Sequence, residues 1–175
     1  VGGATKMVLF GEVNPSGKLP ETFPIKLEDN PSYLTYGGEG NTAVYSEGVF
    51  VGYRYYDRKK MDVLFPFGYG LSYTTFKLDN YECVNNGDSL NIKMSVENTG
   101  EYDGAEVIQI YLTGINCDVV MPLKELKAYK RVELKKGEKA ELDILIPNEA
   151  FCYYDRRMNL GMHRGDYTVS VGTSC

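Results

Sequence analysis

Hydrophobic and polar residues alternate with a period of two through most of the second half of the chain. The alternation is clearest over residues 90–96, where four apolar residues each follow or precede a polar one, and it recurs over residues 140–146. A period of two places every second side chain on the same face, which is typical of a strand with one solvated face. Further strands are predicted at residues 106–112, 126–134, 151–154 and 167–171.

The details of this pattern predict where strands lie within their sheets. The run from Glu106 to Leu112 is more continuously apolar than the others, and we expect it to be central in its sheet. Lys130 interrupts the alternation of residues 126–134, which indicates a sheet edge or a bulge at that position. Turn sequences separate the runs at residues 86–88, 98–100, 136–138 and 164–166.

The whole pattern predicts a mainly β protein whose second part is an antiparallel β-sandwich. About seven short strands without a helical period between them favour an immunoglobulin-like or fibronectin type III-like fold. The sandwich would lack the buried tryptophan and the inter-sheet disulfide of antibody domains, since the chain contains no Trp.

The first 76 residues have a different character. Gly, Pro and Asn punctuate them densely, for example at residues 14–17, 30–32 and 37–41. One short helix is predicted from Gly3 to Phe10, ending at Gly11. Because the remaining apolar runs are short and show no repeating period, this part is not expected to form a domain alone. We therefore divide the chain into residues 1–76 and a sandwich of residues 77–175.

Composition excludes several classes of function. The net charge is −5 and the basic residues are dispersed, so no basic surface is expected for nucleic acid. No apolar stretch is long enough to cross a membrane, and the first residues do not match a signal peptide. The four cysteines form no CxxC pair. His163 is the only histidine, and we interpret it as a surface residue. Neither a metal site nor a cofactor is therefore expected.

The same cysteines bear on location. Cys83, Cys117, Cys152 and Cys175 are widely separated in the sequence. We interpret them as reduced thiols of a cytoplasmic protein. An extracellular disulfide framework in a secreted protein remains the alternative.

Three ordered stretches carry a more specific signal. They are residues 9–24 (LFGEVNPSGKLPETFP), 45–57 (YSEGVFVGYRYYD) and 64–76 (LFPFGYGLSYTTF). Together they closely resemble the C-terminal region of glycoside hydrolase family 3, which includes many β-glucosidases and β-xylosidases. In three-domain members of that family a TIM-like barrel precedes an α/β sandwich and a fibronectin type III-like domain. The resemblance implies that residues 1–76 are the end of the α/β sandwich plus a linker.

The resemblance assigns no catalytic residue to this chain. The family's nucleophile is an Asp on the barrel, and its general acid/base is typically a Glu in a segment before the NPSGKLP stretch. Neither motif is present, so no residue is carried over, and substrate-binding residues remain unknown. The resemblance implies partners instead: the catalytic domains of the parent, on the same or a separate chain, and its oligosaccharide or β-glucoside substrate.

Two features of residues 45–76 are candidate sites. Glu47 lies near Arg54 and Asp57 in sequence, and we interpret these residues as structural, with the carboxylates bonded to backbone amides or to Arg54. The aromatic residues of this region form either a sugar-stacking platform or packing between the sandwich and a neighbouring domain, and packing is favoured. These aromatic residues are Tyr53, Tyr55, Tyr56, Phe65, Phe67, Tyr69 and Tyr73.

Two functions are consistent with the sequence. The first is a non-catalytic portion that braces the catalytic domains of an enzyme hydrolysing terminal β-linked glycosyl residues with retention. The second is an independent carbohydrate-binding or interaction module of the fibronectin type III type. An exposed apolar patch around Phe10, Phe23 and Phe50 would favour the first, because a self-contained module has no reason to expose one.

Overall fold

The computed structural model describes residues 1–162 and 165–175. The first part contains helix α1 (Gly2–Leu9), strand β1 (Phe23–Pro24), a 3-10 helix (Leu27–Asp29), helix α2 (Tyr53–Lys59) and strand β2 (Val63–Phe65). The second part contains β3 (Phe76–Asn85), β4 (Ser89–Asn98), β5 (Gly104–Gly114), β6 (Glu125–Leu134), β7 (Lys139–Pro147), a second 3-10 helix (Asn148–Phe151), β8 (Cys152–Tyr154), β9 (Leu160–Met162) and β10 (Tyr167–Gly172).

The second part is the predicted antiparallel β-sandwich. One sheet has the strand order β3-β4-β7 and the other has the order β10-β5-β6, while β8 and β9 form a separate pair. The inward-facing residues of β4 and β5 supply most of the core, joined by residues of β6 and β7. The buried core residues are Ile92, Met94, Val96, Ile108, Ile110, Leu112, Leu134, Ile144 and Ile146. Each large apolar side chain buried in this way contributes about 1.5–3 kcal/mol.

The register confirms that β5 is central in its sheet, and it refines the expectation for Lys130. Strand β6 lies at a sheet edge, and Lys130 is exposed there opposite Ile108. The bulge itself lies at Lys127, because Ile110 pairs with Ala128 whereas Tyr111 pairs with Leu126. Lys130 is thus an edge residue rather than a bulge residue.

Among the elements without a counterpart in the prediction, the two longest are β3 and α2. Strand β3 turns at Asn80, whose φ of 57° accompanies a shift of register between Asp79 and Glu82, and most of its side chains are exposed. These features remove the alternation that reveals other strands. Helix α2 follows Gly52 and ends at Lys60 in the left-handed conformation. Its aromatic and charged sequence carries no clear helical period.

Helix α1 matches its prediction to within one residue at each end. It covers Gly2–Leu9, and Gly11 follows with a φ of 73°. A positive φ is accessible to glycine without strain, so Gly11 allows the chain to leave the helix axis.

Strand β5 is buried on both faces, which an isolated two-layer sandwich would not produce. Its inward-facing residues lie in the core. Two outward-facing residues are also almost completely buried, since Gln109 is 3% exposed and Tyr111 is 2% exposed. Part of the cover on this outer face comes from the first part of the chain, where Gly68 lies against Gln109 and Tyr53 packs against Tyr111. The two parts therefore pack against each other at this face of β5.

Candidate interdomain interface

Asn14, in the NPSGKLP stretch, connects the first part of the chain to the sandwich. Its Nδ2 donates to the carbonyl of Asp103 at 2.9 Å. Its Oδ1 accepts from the Ser72 hydroxyl at 3.1 Å and from the Tyr73 amide at 2.9 Å. The Tyr73 hydroxyl in turn donates to the carbonyl of Val8 at 2.7 Å. Asn14 and Tyr73 together thus join the end of α1, the segment before β3 and the turn before β5.

Lys18 continues this connection four residues later. Its Nζ lies 2.6 Å from Oε1 of Glu106 on β5, and only 16% and 12% of the two side chains are exposed. The adjacent backbone is paired as well, because the Leu19 amide donates to Tyr69 at 2.8 Å and the Gly68 amide donates to Leu19 at 2.9 Å. The stretch is therefore a structural clamp between the two parts.

Two glycines of the third motif are required by close packing. A Cβ added at Gly68 would lie 2.3 Å from the Gln109 side chain, and Gly68 has a φ of 78°. A Cβ added at Gly70 would lie 2.4 Å from the carbonyl oxygen of Gly17. These glycines let the segment before β3 approach both β5 and the NPSGKLP turn.

Tyr53 and Phe67 place an aromatic pair against the sandwich. Their rings are stacked with centroids 5.0 Å apart, and the Tyr53 ring also packs edge-on against Tyr111 at 5.9 Å. The Tyr53 hydroxyl accepts a hydrogen bond from the Leu126 amide at 2.8 Å. Both the ring and the hydroxyl of Tyr53 therefore bind sandwich residues.

The other predicted aromatic residues do not join this pair in one surface. Phe65 packs against Tyr69 at 5.1 Å and edge-on against Phe23 at 6.4 Å. Tyr55 packs edge-on against Tyr56 at 5.3 Å. The rings are divided into separate pairs at different angles.

Charged side chains of α2 reach the sandwich near the start of β6. Arg54 Nη2 lies 3.3 Å from Oε1 of Glu125, whose second oxygen lies 3.4 Å from Lys127 Nζ. Asp57 lies 3.6 Å from Lys124 Nζ. The arginine thus pairs across the interface with Glu125, which was not among the partners considered from the sequence.

Cys175 and Tyr111 extend this polar contact. The Cys175 thiol donates to Oδ2 of Asp57 at 3.3 Å, and the Cys175 amide donates to the carbonyl of Phe67 at 2.9 Å. Burial raises the pKa of the Cys175 thiol to about 12, with the nearby Asp57 carboxylate as a further cause. Burial likewise raises the pKa of Tyr111, whose hydroxyl donates to Gln109. Both groups are therefore protonated at neutral pH.

The cysteines are free thiols in the described structure. Cys83 is exposed, whereas Cys117, Cys152 and Cys175 are partly buried. Residues 1–162 and 165–175 contain no group of three or more potential metal ligands. Within the same residues, no helix has the length and apolarity needed to span a membrane. His163 lies outside the described residues.

Glu47 lies beside a cavity. Its carbonyl accepts from the Phe50 amide at 3.0 Å, and its side chain lines a cavity of about 420 Å³ together with Thr22 and Arg54. Thr22 Oγ1 and Arg54 Nε are buried within the protein without a hydrogen-bond partner among the described residues. Sequence reasoning had drawn attention to Glu47 and Arg54 but not to Thr22.

The first part exposes many apolar side chains. Helix α1, which is described in full, buries none of its residues. Of the three predicted patch residues, 77% of Phe10 and 41% of Phe23 are exposed, whereas Phe50 is half-buried. Further exposed apolar residues are Leu9, Val13, Ile25, Leu27, Leu34, Val44, Val49 and Val51. We call this set, with Phe10 and Phe23, the apolar surface of the first part.

Comparison with known protein families gives two matches along the chain. Residues 1–53 match the glycosyl hydrolase family 3 C-terminal domain. Residues 106–175 match the fibronectin type III-like domain. The order of the two matches is the order of the two parts in the structure.

Individual relatives match nearly the whole chain. Thermostable beta-glucosidase B of Acetivibrio thermocellus is 43% identical over 99% of this chain and 24% of the relative. An exo-alpha-(1->6)-L-arabinopyranosidase of Bifidobacterium breve is 41% identical over 99% of this chain and 23% of the relative. The crystal structure of the Bifidobacterium adolescentis GH3 beta-glucosidase superimposes with a TM-score of 0.94 at 42% identity, over 99% of this chain and 26% of that one.

The chain therefore spans about a quarter of the length of these relatives. Along nearly its whole length the chain is therefore similar to the C-terminal region of glycoside hydrolase family 3 β-glucosidases, which is made of the end of the family's C-terminal domain and a fibronectin type III-like domain.

Proposed function

We propose that this chain is the non-catalytic C-terminal portion of a β-glucosidase-like enzyme and braces its catalytic domains. The parent hydrolyses terminal β-linked glycosyl residues with retention, through two carboxyl groups supplied by the preceding domains. One observation carries the proposal. The apolar surface of the first part is exposed, while the same part is clamped to the sandwich through Asn14 and Lys18.

The energetics of that surface support a docking role. Exposed side chains such as Phe10 and Ile25 would each contribute on the order of 1 kcal/mol or more if a partner buried them. Monomeric proteins rarely expose large apolar patches without a function. The natural partner is the preceding part of the family 3 chain, on the same or a separate polypeptide.

Several prominent acidic residues of the interface already have structural partners. Glu106 is paired with Lys18, Glu125 with Arg54 and Lys127, and Asp57 with Lys124. A retaining glycosidase needs two carboxyl groups about 5–5.5 Å apart beside the scissile bond. We assign no residue of this chain to that pair, and we expect the isolated chain to be inactive.

The sugar specificity is assigned to the parent's other domains. One relative is a beta-glucosidase and another is an arabinopyranosidase, and both are similar to nearly the whole of this chain. Because enzymes named for different sugars share this region, we infer that it supports the fold of the enzyme and does not select the sugar. A β-glucoside or an oligosaccharide is the proposed substrate class, without contact to nucleic acid or membrane.

The test is hydrolysis of a chromogenic aryl β-glucoside by the purified chain, alone and mixed with the separately expressed barrel and upstream sandwich. We expect no turnover by either portion alone and activity on mixing. A variant with Phe10→Ser and Ile25→Ser should complement less well, because it removes apolar contact area. Turnover by this chain alone would overturn the proposal, as would glycan binding by a compact monomer that fails to complement.

We place the domain boundary at Phe76 and the protein in the cytoplasm, with secretion as the alternative. The boundary is supported by β3, which begins at Phe76. The location is supported by the four free thiols. Thiol titration of protein purified from its natural source, without a reductant, tests the location. Four reactive thiols after unfolding are expected, and fewer than three would favour the secreted alternative.

A further inference from the structure

The turn between β3 and β4 contains the only asparagine of the chain that is followed by a glycine, Asn86–Gly87. Residues 85–88 are all exposed, and the Asn86 amide closes the turn by donating to the Ser89 carbonyl at 2.9 Å. Gly87 has a φ of 85°, in the left-handed region that glycine adopts without strain. The backbone nitrogen that follows the Asn86 side chain therefore belongs to a residue without a β-carbon to hinder its approach.

This dipeptide allows a reaction between a side chain and its own backbone. The Gly87 nitrogen attacks Cγ of Asn86, and the new N–Cγ bond closes a succinimide ring. The Cγ–Nδ2 bond breaks, and Nδ2 leaves as ammonia with the proton of the Gly87 nitrogen. Water then opens the ring at either carbonyl and yields aspartate or isoaspartate. One water is consumed and one ammonia is released, and the exposure of the turn supplies the water.

Two hydrogen bonds restrain the reacting groups. The Gly87 amide donates to Oδ1 of Asn85 at 2.8 Å. Nδ2 of Asn86 donates to Oδ1 of Asn91 on β4 at 3.0 Å. Because both bonds are exposed, water can replace either partner, and ring closure needs only a local opening of the turn. The Asn91 bond therefore controls how often the Asn86 side chain is released to react.

The products disturb the end of the sheet. Nδ2 of Asn91 donates to Oδ1 of Asp143 on β7 at 2.6 Å, so Oδ1 of Asn91 is left to accept from Asn86. A carboxylate at position 86 accepts hydrogen bonds and cannot donate one, so this bond is lost. The new carboxylate also lies in the same turn as Asp88, and like charges repel. Isoaspartate in addition places an extra methylene in the backbone and lengthens the turn.

We propose that Asn86 is a site of spontaneous deamidation and that its products loosen the β3-β4-β7 sheet at this turn. The reaction replaces a neutral donor with a carboxylate and makes the chain more negative by one charge. The folded strands set the rate, because the bond to Asn91 on β4 must open first. The proposal does not depend on the role of the chain in a parent enzyme.

The first test is incubation of the purified chain in mildly alkaline buffer, followed by digestion and mass spectrometry. Asn86 should gain about 1 Da as its amide becomes a carboxyl group. Enzymatic methylation of isoaspartate identifies the second product at the same position. Asn41 is the internal control, since it is also exposed in a turn but precedes the β-branched Thr42. Conversion of Asn86 that is no faster than conversion of Asn41 would overturn the proposal.

Asn91→Ala tests whether the folded structure sets the rate. The variant releases Nδ2 of Asn86 and should raise the rate of conversion about 2–10-fold, which is the weight of one net hydrogen bond. The matched control is Asn159→Ala, which removes an exposed asparagine between β8 and β9 and should leave the rate at Asn86 unchanged. Equal rates in Asn91→Ala and wild type would overturn the restraint assigned to Asn91.

Asn86→Asp tests the consequence, because it reproduces one product directly. Its midpoint of thermal unfolding should fall by about 1–3 °C relative to wild type, since the bond to Asn91 is lost. Asn41→Asp adds the same charge in the first part of the chain and should leave the midpoint unchanged. Equal midpoints for Asn86→Asp and wild type would show that the product does not loosen the sheet.

Discussion

The sandwich and the first part of the chain use apolar residues in opposite ways. In the sandwich, Ile108 and Ile110 are fully buried between two sheets. In the first part, 92% of Leu34 and 77% of Phe10 are exposed although both are large and apolar. The contrast teaches that one region obtains its stability from its own core. The other is held in shape by a few polar contacts and keeps its apolar residues available for a partner.

The largest difference between the two regions should appear when a large apolar side chain in each is shortened to alanine and the free energies of unfolding are compared. Ile110→Ala opens a cavity in the core, and we expect it to lower the free energy of unfolding by about 2–5 kcal/mol. Leu34→Ala removes a similar side chain from the exposed region and should change the free energy of unfolding by less than about 0.5 kcal/mol. Urea denaturation followed by circular dichroism measures both. Similar losses for the two variants would contradict the comparison.

Breaking the Lys18–Glu106 pair should have the next largest effect. Both side chains are mostly buried at the junction, so Lys18→Met leaves a poorly solvated carboxylate and should cost about 2–3 kcal/mol. The double variant Lys18→Met/Glu106→Leu should recover most of that loss, since no unpaired charge remains. The same urea titration applies. A double variant no more stable than Lys18→Met would show that the pair itself is not the cause.

Asn14→Ala should sharpen the comparison at a smaller scale. The variant loses three hydrogen bonds that join Asp103, Ser72 and Tyr73, and we expect a loss of about 1–2 kcal/mol. Hydrogen exchange should report a local effect, with faster exchange at Tyr73 and little change at Ile110 in the core. Equal acceleration at both positions would mean that the clamp and the core unfold as one unit.

The smallest expected effect is a pH dependence at the same junction. Burial raises the pKa of Cys175 to about 12, above its value in the unfolded chain. The folded state then holds its proton more tightly, so this contribution to stability is complete below about pH 8.5 and declines as the pH rises towards 12. Between pH 8 and 10, wild type should lose about 1 kcal/mol more than Cys175→Ala. Identical losses in the two proteins would show that the thiol is not buried.

The features that could be predicted from the sequence are those that leave a pattern in neighbouring residues. Residues 90–96 and 140–146 alternate because each strand has one face on the core, and both strands were predicted correctly. Strand β3 was not predicted, because it is mostly exposed and turns at Asn80. The Arg54–Glu125 pair joins residues far apart in the chain, and no pattern along the sequence marks such a contact. The burial of Thr22 was not predicted for the same reason, since it depends on the residues that pack around the hydroxyl.

The sequence by itself determined the class of the fold, the family resemblance and the contrast between a patterned half and a turn-rich half. These follow from periodicity, turn chemistry and ordered motifs, which are local properties of the chain. Only the tertiary structure decided that NPSGKLP is a clamp, that both faces of β5 are covered and that Thr22 and Arg54 border one cavity. The physical reason is that each depends on segments distant in sequence, brought together when the first part packs onto the sandwich.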